Sequence, residues 1–263
     1  MIFSRLEAMF RHLTADPVGF FVYIAYFASA LVLTLVFHEY AHAYIAYRCG
    51  DSTAKMLGRL TLNPLKHLDP MGTAFMVLLG FGWAKPVPIN PRNFRNAVKD
   101  DFLVSIAGIA TNLTLFLLSI VLMIALHKLV WIPEVIEQYG YYDLLKSGSV
   151  GYNVIVSGSA SFLGKLIQSP FVLQIQRFLM IFAQFNLMVA IFNLLPIPPL
   201  DGYHIFNDLI FRGKLGANPR FLQYASLTLM ILVFTGVIGN LIVGVGDVIE
   251  TGVLKTILKL IGV

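Results

Sequence analysis

The sequence is poor in charge and nearly free of cysteine, and each shortage excludes a class of protein. Only 13% of the 263 residues are charged, 57% are hydrophobic, and the mean hydropathy is +0.77. Soluble globular proteins are about 25% charged and about 45–50% apolar, so this composition predicts an integral membrane protein. Cys49 is the single cysteine, which excludes an internal disulfide framework and a cysteine-rich metal site.

The basic residues indicate a membrane surface rather than a nucleic acid. The formal net charge is +5, yet the lysines and arginines flank apolar segments, mainly within residues 48–99 and 212–220. Positive charge beside membrane spans favours the cytoplasmic side and anionic lipid. We therefore expect the lipid bilayer as a partner, no nucleic acid, and a cytoplasmic position for these two segments.

Long uncharged runs predict an all-α polytopic membrane protein with about four to six transmembrane or re-entrant segments. About 20 apolar residues cross a bilayer. Residues 18–47, of which 18–37 are uncharged, and the uncharged residues 102–126, 178–195 and 221–243 are the predicted spans. Residues 71–83 are apolar but short, which suits a re-entrant segment, and residues 128–175 read as a mixed linker.

Smaller elements are expected beside these spans. Residues 53–62 have partial strand character around Gly58 and predict a small β-hairpin near the first span, and residues 247–263 resemble an interfacial helix. No internal repeat is evident, so residues 1–263 are treated as a single membrane domain.

The most informative motif follows directly on the first uncharged run. Residues 18–37 carry no charge, and His38, Glu39 and His42 come next. Histidines four apart lie on one face of a helix, so both can bind one metal ion while Glu39 reaches a water beside it. This H-E-x-x-H pattern is typical of two zinc ligands and a general base.

A catalytic zinc needs a third protein ligand, and a buried acid is the natural candidate. Acids within apolar segments are costly, so each suggests a function. Asp201 is such an acid, since it follows a proline-rich run that must end the preceding helix. A helix break at membrane depth is tolerated where it lines a polar cavity, and Asp201 is expected at the edge of that cavity.

These residues together resemble the site-2 proteases, zinc metalloproteases that cleave peptide bonds within the membrane. The matching motifs are H-E-x-x-H at residues 38–42, N-x-x-P-x-P-P-L-D-G at residues 193–202, and Gly-x-x-x-Asn at Gly108 and Asn112. Residues 81–92, F-G-W-A-K-P-V-P-I-N-P-R, are similar to the compact bacterial and archaeal branch without PDZ or CBS domains. The resemblance covers about residues 20–210, and residues 219–263 add a C-terminal span and the interfacial helix.

The resemblance implies one Zn²⁺ per chain, held by His38, His42 and Asp201, with Glu39 as general base. It also implies that Asn112 and Asn193 hold the substrate carbonyl or the oxyanion. In one departure, Ile109 stands where the family commonly has the proline of A-G-P-x-x-N.

The implied substrate is a transmembrane protein or peptide, whose unwound strand would pair with the expected hairpin. The implied setting is a prokaryotic cell membrane with the active site near the cytoplasmic face; no oligomeric state is predicted.

Other readings of the residues remain open. The chain could be a non-proteolytic zinc-binding or metal-transport protein, or a silent scaffold; neither has a use for Glu39 as a base. Asp201 could instead cap the following helix, and Asn112 and Asn193 could make interhelical hydrogen bonds. His67 and His204 lie close to the motifs and are expected to be solvated or to support a ligand.

Overall fold

The structure is a computed structural model that describes residues 7, 10–11, 13–72, 75, 84–157, 166–215 and 218–262. Its longer helices are α1 (Pro17–Cys49), α3 (Ala97–Val130), α6 (Pro170–Asn193), α8 (Pro219–Phe234) and α9 (Val237–Leu260). Shorter helices are α2 (Thr53–Met56), α4 (Pro133–Leu145), α5 (Val150–Ser157) and α7 (Asp201–Phe211). Two 3₁₀ turns lie at Pro64–Lys66 and Pro91–Asn93.

Four helices of the described ranges are long and apolar enough to cross a membrane, and they are α1, α3, α6 and α9. Much of their surface is apolar and exposed, as at Leu117, Leu118 and Val121 of α3. Exposed leucine and valine in such numbers suit a lipid surrounding. The predicted all-α membrane architecture is confirmed at this level.

Local chemistry sets where the long helices begin. Asp16 precedes α1 and accepts a hydrogen bond from the backbone N–H of Gly19 at 2.9 Å, as a helix-capping acid does. Asn96 precedes α3 and accepts from the N–H of Lys99, while Asp100 accepts from the N–H of Asn96. Such reciprocal bonds satisfy donors that a helix start leaves unpaired.

The predicted β-hairpin at residues 53–62 is wrong. Thr53–Met56 forms a helical turn, and no strand is found among the described residues. The Asp51 carboxylate accepts from the N–H of Thr53 at 3.1 Å and so starts a turn. Gly58 then adopts a positive φ of 64°, which ends it. This side-chain-to-backbone hydrogen bond therefore overrides the weak strand pattern, and substrate pairing with a hairpin loses its basis.

The C-terminal region also differs from the sequence expectation. The structure has no single span over residues 221–243, because Gly236 adopts a positive φ of 81° between α8 and α9. The residues expected as an interfacial helix form the second half of α9 instead. Residues 71–83, expected as a re-entrant segment, lie mostly outside the described residues.

The described segments pack as two compact units. The first comprises the chain up to Leu31, Thr114–Leu187 and the chain from Gly244; the second comprises Val32–Leu113 and Met188–Val243. In the second unit Ile109 of α3, Ala190 of α6 and Ile205 of α7 form one buried apolar cluster. This cluster fixes α7 against α3 and α6, and every predicted site residue lies in the second unit.

In the first unit, ion pairs of the buried Lys146 link the end of α4 to α9. Lys146 is 7% exposed, and its Nζ lies 2.5 Å from Asp247 Oδ1 and 3.4 Å from Glu250 Oε2. The N–H of Ser147 also donates to Glu250 at 2.9 Å. Burial alone would lower the pKa of Lys146, but the two carboxylates outweigh it and raise that pKa. Lys146 is therefore held in its charged form.

Candidate metal centre

Two imidazoles converge on one face of α1. His38 and His42 are one helical turn apart, and their Nε2 atoms lie 2.9 Å from each other. Both residues are buried, with 5% and 6% of their surface exposed. Because residues four apart share a helix face, the helix itself sets this pairing.

Asp201 meets the two histidines from the start of α7. Its Oδ2 atom lies 3.3 Å from Nε2 of His38 and 3.3 Å from Nε2 of His42. The helix-cap position is occupied by Leu200, and Asp201 is the first residue of α7. The alternative in which Asp201 serves as the helix cap is therefore not what the structure shows.

Gly202 allows α7 to start so close to the preceding chain. A Cβ atom at Gly202 would lie 2.5 Å from the carbonyl oxygen of Leu195 and closer still to that of Leu194. Neither contact is sterically possible, and backbone atoms cannot swing aside as a flexible side chain can. The absence of a side chain at Gly202 therefore permits the close packing that brings the Asp201 carboxylate to the histidines.

Each imidazole is oriented through its other ring nitrogen. Nδ1 of His38 lies 2.6 Å from Oδ1 of Asn112, and Nδ1 of His42 lies 2.8 Å from the carbonyl oxygen of Val104. A carbonyl oxygen only accepts, so Nδ1 carries the proton and donates in both pairs. The Nε2 atom of each ring then presents a lone pair toward Asp201, as metal-binding histidines do.

Gly108 supplies the space for the imidazoles. A Cβ atom at Gly108 would lie 2.5 Å from Cε1 of His38 and 2.5 Å from Nε2 of His42. Gly108 is one helical turn before Asn112 on α3, so this face of α3 both makes room for the rings and orients one of them. The Gly-x-x-x-Asn element therefore acts directly on the histidines.

The three converging atoms fit a metal ion better than they fit one another. They form the one group among the described residues in which three histidine or acid ligand atoms lie within 4.8 Å. Asp201 Oδ2 is buried and has no hydrogen-bond partner, although both Nε2 atoms are near. Zn²⁺ with ligands at about 2.0–2.1 Å in a tetrahedron separates them by about 3.3 Å. The two nitrogen-to-oxygen distances match that value, while the Nε2 pair is closer.

Glu39 lies beside the group with its carboxylate held by the main chain of a distant loop. The backbone N–H of Val87 donates to Oε2 of Glu39 at 2.8 Å. Val87 is buried, at 8% exposed, and lies between Pro86 and Pro88 in the proline-rich segment after residue 83. Sequence reasoning identified Glu39 but not this partner.

The two asparagines predicted to contact the substrate, Asn112 and Asn193, both bond to other groups of the protein. Asn112 is fully buried and contacts His38, as described above. Asn193 is the last residue of α6, and its Nδ2 donates to the carbonyl oxygen of Val189 in the same helix at 3.0 Å. Neither distance concerns a substrate, so the roles of both asparagines toward substrate stay predictions.

Two histidines near the motifs do not belong to the group of His38, His42 and Asp201, which we call the metal group. His67 is fully buried rather than solvated, and its Nε2 lies 2.7 Å from the carbonyl oxygen of Thr61. His204 is half-exposed, with Nδ1 at 3.0 Å from Asp101 Oδ2. The Asp101 carboxylate raises the pKa of His204 above its ordinary value, against the opposing effect of burial.

Asp208 is expected to make the free energy of unfolding of the second unit depend on pH. Burial, and then the nearby Asp101 carboxylate, raise the pKa of Asp208 to about 6. A raised folded-state pKa means that protonation favours the folded form, so this stabilisation is lost as pH rises through about 6. Asp208→Asn is therefore expected to melt at higher temperature than wild type near pH ~8, and the difference should shrink near pH ~5.

Melting curves of the purified chain across this pH range check the expectation. Asp143→Asn, at an exposed position of α4, is the matched control and should follow wild type throughout. A constant difference between Asp208→Asn and wild type at every pH would contradict the assigned role of Asp208.

Two buried imidazoles and a half-buried carboxylate, beside the further carboxylate of Glu39, form the arrangement that a metallohydrolase site in a membrane protein would need. Residues 26–238 match the family described as Peptidase family M50. The chain belongs to this family, the site-2-type membrane metalloproteases, which confirms the resemblance drawn from the motifs.

Three relatives illustrate the match. "Putative zinc metalloprotease YwhC" of Bacillus subtilis (strain 168) is 37% identical over 210 residues, which cover 80% of each chain. "Putative zinc metalloprotease Rip2" of Mycolicibacterium smegmatis is 30% identical over 199 residues, 73% of this chain and 61% of the relative. The protein of the same name from Mycobacterium tuberculosis (strain H37Rv) is 25% identical over 195 residues, 72% of this chain and 59% of the relative. No solved structure shows a significant match.

Proposed function

We propose that the chain is an intramembrane zinc endopeptidase that hydrolyses peptide bonds in or near transmembrane segments of membrane proteins, as in regulated intramembrane proteolysis. The observation that carries the proposal is the group formed by the buried His38 and His42 and the half-buried Asp201, with Glu39 next in sequence to the first histidine. Membership of family M50 supports a metalloprotease, and the names of the relatives support zinc as the metal.

His38, His42 and Asp201 are proposed to hold one zinc ion per chain. Their donor set, two imidazole nitrogens and one carboxylate oxygen, is that of catalytic rather than structural zinc sites, because it leaves a fourth position open. Zinc bound there would supply Lewis acidity to an attacking water and to the scissile carbonyl. Asn112 and the Val104 carbonyl would keep the two rings in the tautomer that binds metal.

Glu39 is proposed as the general base and then the general acid. Its carboxylate would take a proton from the attacking water and return it to the amine that leaves when the peptide bond breaks. The bond from the Val87 N–H occupies one carboxylate oxygen, so the proton transfers fall to the other oxygen.

Asn193, and less directly Asn112, are proposed to contact the substrate carbonyl or the oxyanion. An amide donor aimed at a developing oxyanion contributes roughly 3–4 kcal/mol to transition-state stabilisation. Asn193 Nδ2 now bonds to Val189 within α6, so the side chain would turn toward the substrate on binding. Asn112 uses Oδ1 to orient His38, and any contact with substrate would fall to its amide nitrogen.

The expected substrate is a membrane-spanning helix, which must unwind locally before its carbonyls can be attacked. We also propose an active site near the cytoplasmic face of a prokaryotic cell membrane. The basic residues before α3 and after α7 support this side. His38 also lies about 30 Å along α1 from Pro17, close to the thickness of a bilayer core.

Removal and return of zinc test the proposal. The purified chain in detergent should cleave at least one of a panel of single-span test substrates and contain about one zinc per chain. A zinc chelator should lower the cleavage rate by at least ~100-fold, and added Zn²⁺ should restore it. Cleavage that continues in chelated protein shown to be free of zinc would overturn the proposal.

A further inference from the structure

An extended segment crosses the second unit beside Glu39, and we name residues 85–90 the strap. The strap forms neither helix nor strand and reads Lys-Pro-Val-Pro-Ile-Asn. Prolines fix φ and force the residue before them into an extended conformation, so Pro86 and Pro88 stiffen the segment around Val87. Since proline has no N–H, Val87 carries the one backbone donor between them.

Arg59 holds the first half of the strap. Its Nη2 donates to the carbonyl oxygen of Lys85 at 2.8 Å and to that of Pro86 at 3.1 Å. Arg59 is only 9% exposed, so its guanidinium bonds to the strap and has little contact with solvent. Two consecutive carbonyls bound to one guanidinium fix the peptide plane that carries the Val87 N–H.

Asp51 holds the other end of the strap. It is fully buried, and its Oδ2 accepts from the N–H of Asn90 at 2.7 Å, while its Oδ1 accepts from Asn93 Nδ2 at 2.8 Å. Burial alone would raise the pKa of Asp51, but these hydrogen bonds outweigh it and lower that pKa. The carboxylate is thus a charged anchor that fixes where the strap leaves the site.

The side chain of Val87 adds a third attachment. It packs in a buried cluster with Ala43 of α1 and Ala54 of α2, and Leu60 packs against that cluster. Ala43 directly follows the metal-group residue His42. The strap is therefore docked on the same helix that carries the histidines, and its one central N–H bonds to Glu39 Oε2 at 2.8 Å.

We infer that the strap is a positioning device for the general base, in which the Val87 N–H fixes the orientation of the Glu39 carboxylate. A glutamate side chain has three rotatable bonds, and a carboxylate free to rotate would seldom aim its oxygen at the attacking water. A rigid backbone donor removes that freedom before substrate arrives, and misplacement of a reacting group by about 1 Å can cost ~100-fold in rate. This inference rests on the proposed function of Glu39.

A main-chain substitution removes the donor. Nonsense suppression can replace Val87 by its α-hydroxy analogue, which exchanges the N–H for an ester oxygen, weakens the Pro86 carbonyl as an acceptor for Arg59, and keeps the side chain. The same exchange at Leu62, half-exposed in the loop after α2, is the matched control for the ester chemistry. Val87→Ala is the complementary variant, because it keeps the N–H and removes the packing.

The expected result separates orientation from folding and from substrate binding. The Val87 ester should lower kcat by about 10- to 100-fold, leave KM within about twofold, and retain bound zinc. The Leu62 ester should follow wild type, and Val87→Ala should keep at least about tenfold more activity than the Val87 ester. A fall in zinc content, or a rise in KM with unchanged kcat, would overturn the positioning role.

A second readout does not depend on activity. In protein labelled with ¹⁵N-valine, the Val87 amide proton should exchange with solvent about tenfold faster in Glu39→Ala than in wild type, because its acceptor is gone. Unchanged exchange would overturn the inference. A wild-type protein that cleaves no substrate would overturn the proposed function and the catalytic part of this inference together. An active wild type with an equally active Val87 ester would overturn the inference alone.

Discussion

Glu39→Gln is expected to abolish peptide-bond cleavage while the purified chain keeps its zinc. Glutamine has nearly the same shape and can still accept the hydrogen bond from the Val87 N–H, but it cannot take a proton from water. General acid–base catalysis contributes about 10²–10⁴-fold to a rate, so cleavage should fall by at least ~100-fold. Cleavage assays and zinc analysis on the same preparations check both halves of the expectation.

The same variant separates the proposed protease from its alternatives. A metal transporter would bind and move zinc equally well after the Glu39→Gln substitution, and a scaffold would lose nothing in either assay. Asp16→Asn, which affects only the cap of α1, is the control for loss of charge and should leave cleavage near wild type. Cleavage that survives Glu39→Gln at wild-type rate would contradict the role of Glu39 as base.

Gly108→Ala is expected to weaken zinc binding and lower activity strongly, although Gly108 is itself no predicted metal ligand and the substitution adds a single methyl group. The added carbon would lie 2.5 Å from His38 Cε1 and 2.5 Å from His42 Nε2, so at least one ring must leave its position. Mutations that misorient metal ligands cost about 10–100-fold in metal affinity, and a direct clash with two ligands should reach the upper end of that range.

The helix α9 offers a matched control elsewhere in the chain. A Cβ atom at Gly239 of α9 would meet no other atom within 4 Å, so Gly239→Ala adds the same methyl group without a clash and should keep zinc and cleavage. Zinc titration and circular dichroism of both variants distinguish loss of metal from loss of fold. A Gly108→Ala protein with wild-type zinc affinity would show that His38 and His42 do not bind zinc where the structure puts them.

The long helices were predictable because their signal is local and strong. Uncharged runs of 20 residues or more identified α1 and α3 with ends within about five residues of those in the structure. A shorter apolar run identified α6, but this helix begins at Pro170, eight residues before the predicted start and inside the predicted linker. The break at Gly236 was missed because hydropathy averages over a window and one glycine in a left-handed conformation hardly changes that average. The predicted hairpin at residues 53–62 is wrong for a related reason, because one hydrogen bond from the N–H of Thr53 to the Asp51 carboxylate starts a helical turn there.

The metal group was predictable from spacing and motif, whereas its support was not. His38 and His42 follow from helix geometry, and Asp201 follows from the helix break before it. The contact of Asn112 with His38 joins residues 74 positions apart, and that of Val87 with Glu39 spans 48. Val104 contributes its backbone carbonyl and Val87 its backbone N–H. Any residue type could supply the carbonyl, and any type except proline could supply the N–H. No side-chain pattern in the sequence could have indicated them.

X-ray absorption spectroscopy at the zinc edge, on the purified full chain, shows directly whether His38, His42 and Asp201 form the proposed zinc site. We expect about one zinc per chain, two imidazole ligands, only nitrogen and oxygen in the first coordination sphere, and an altered spectrum with weakened zinc binding in Asp201→Ala. A sulfur ligand, which could come from Cys49 or a methionine, would contradict it. A spectrum unchanged in Asp201→Ala would contradict it as well.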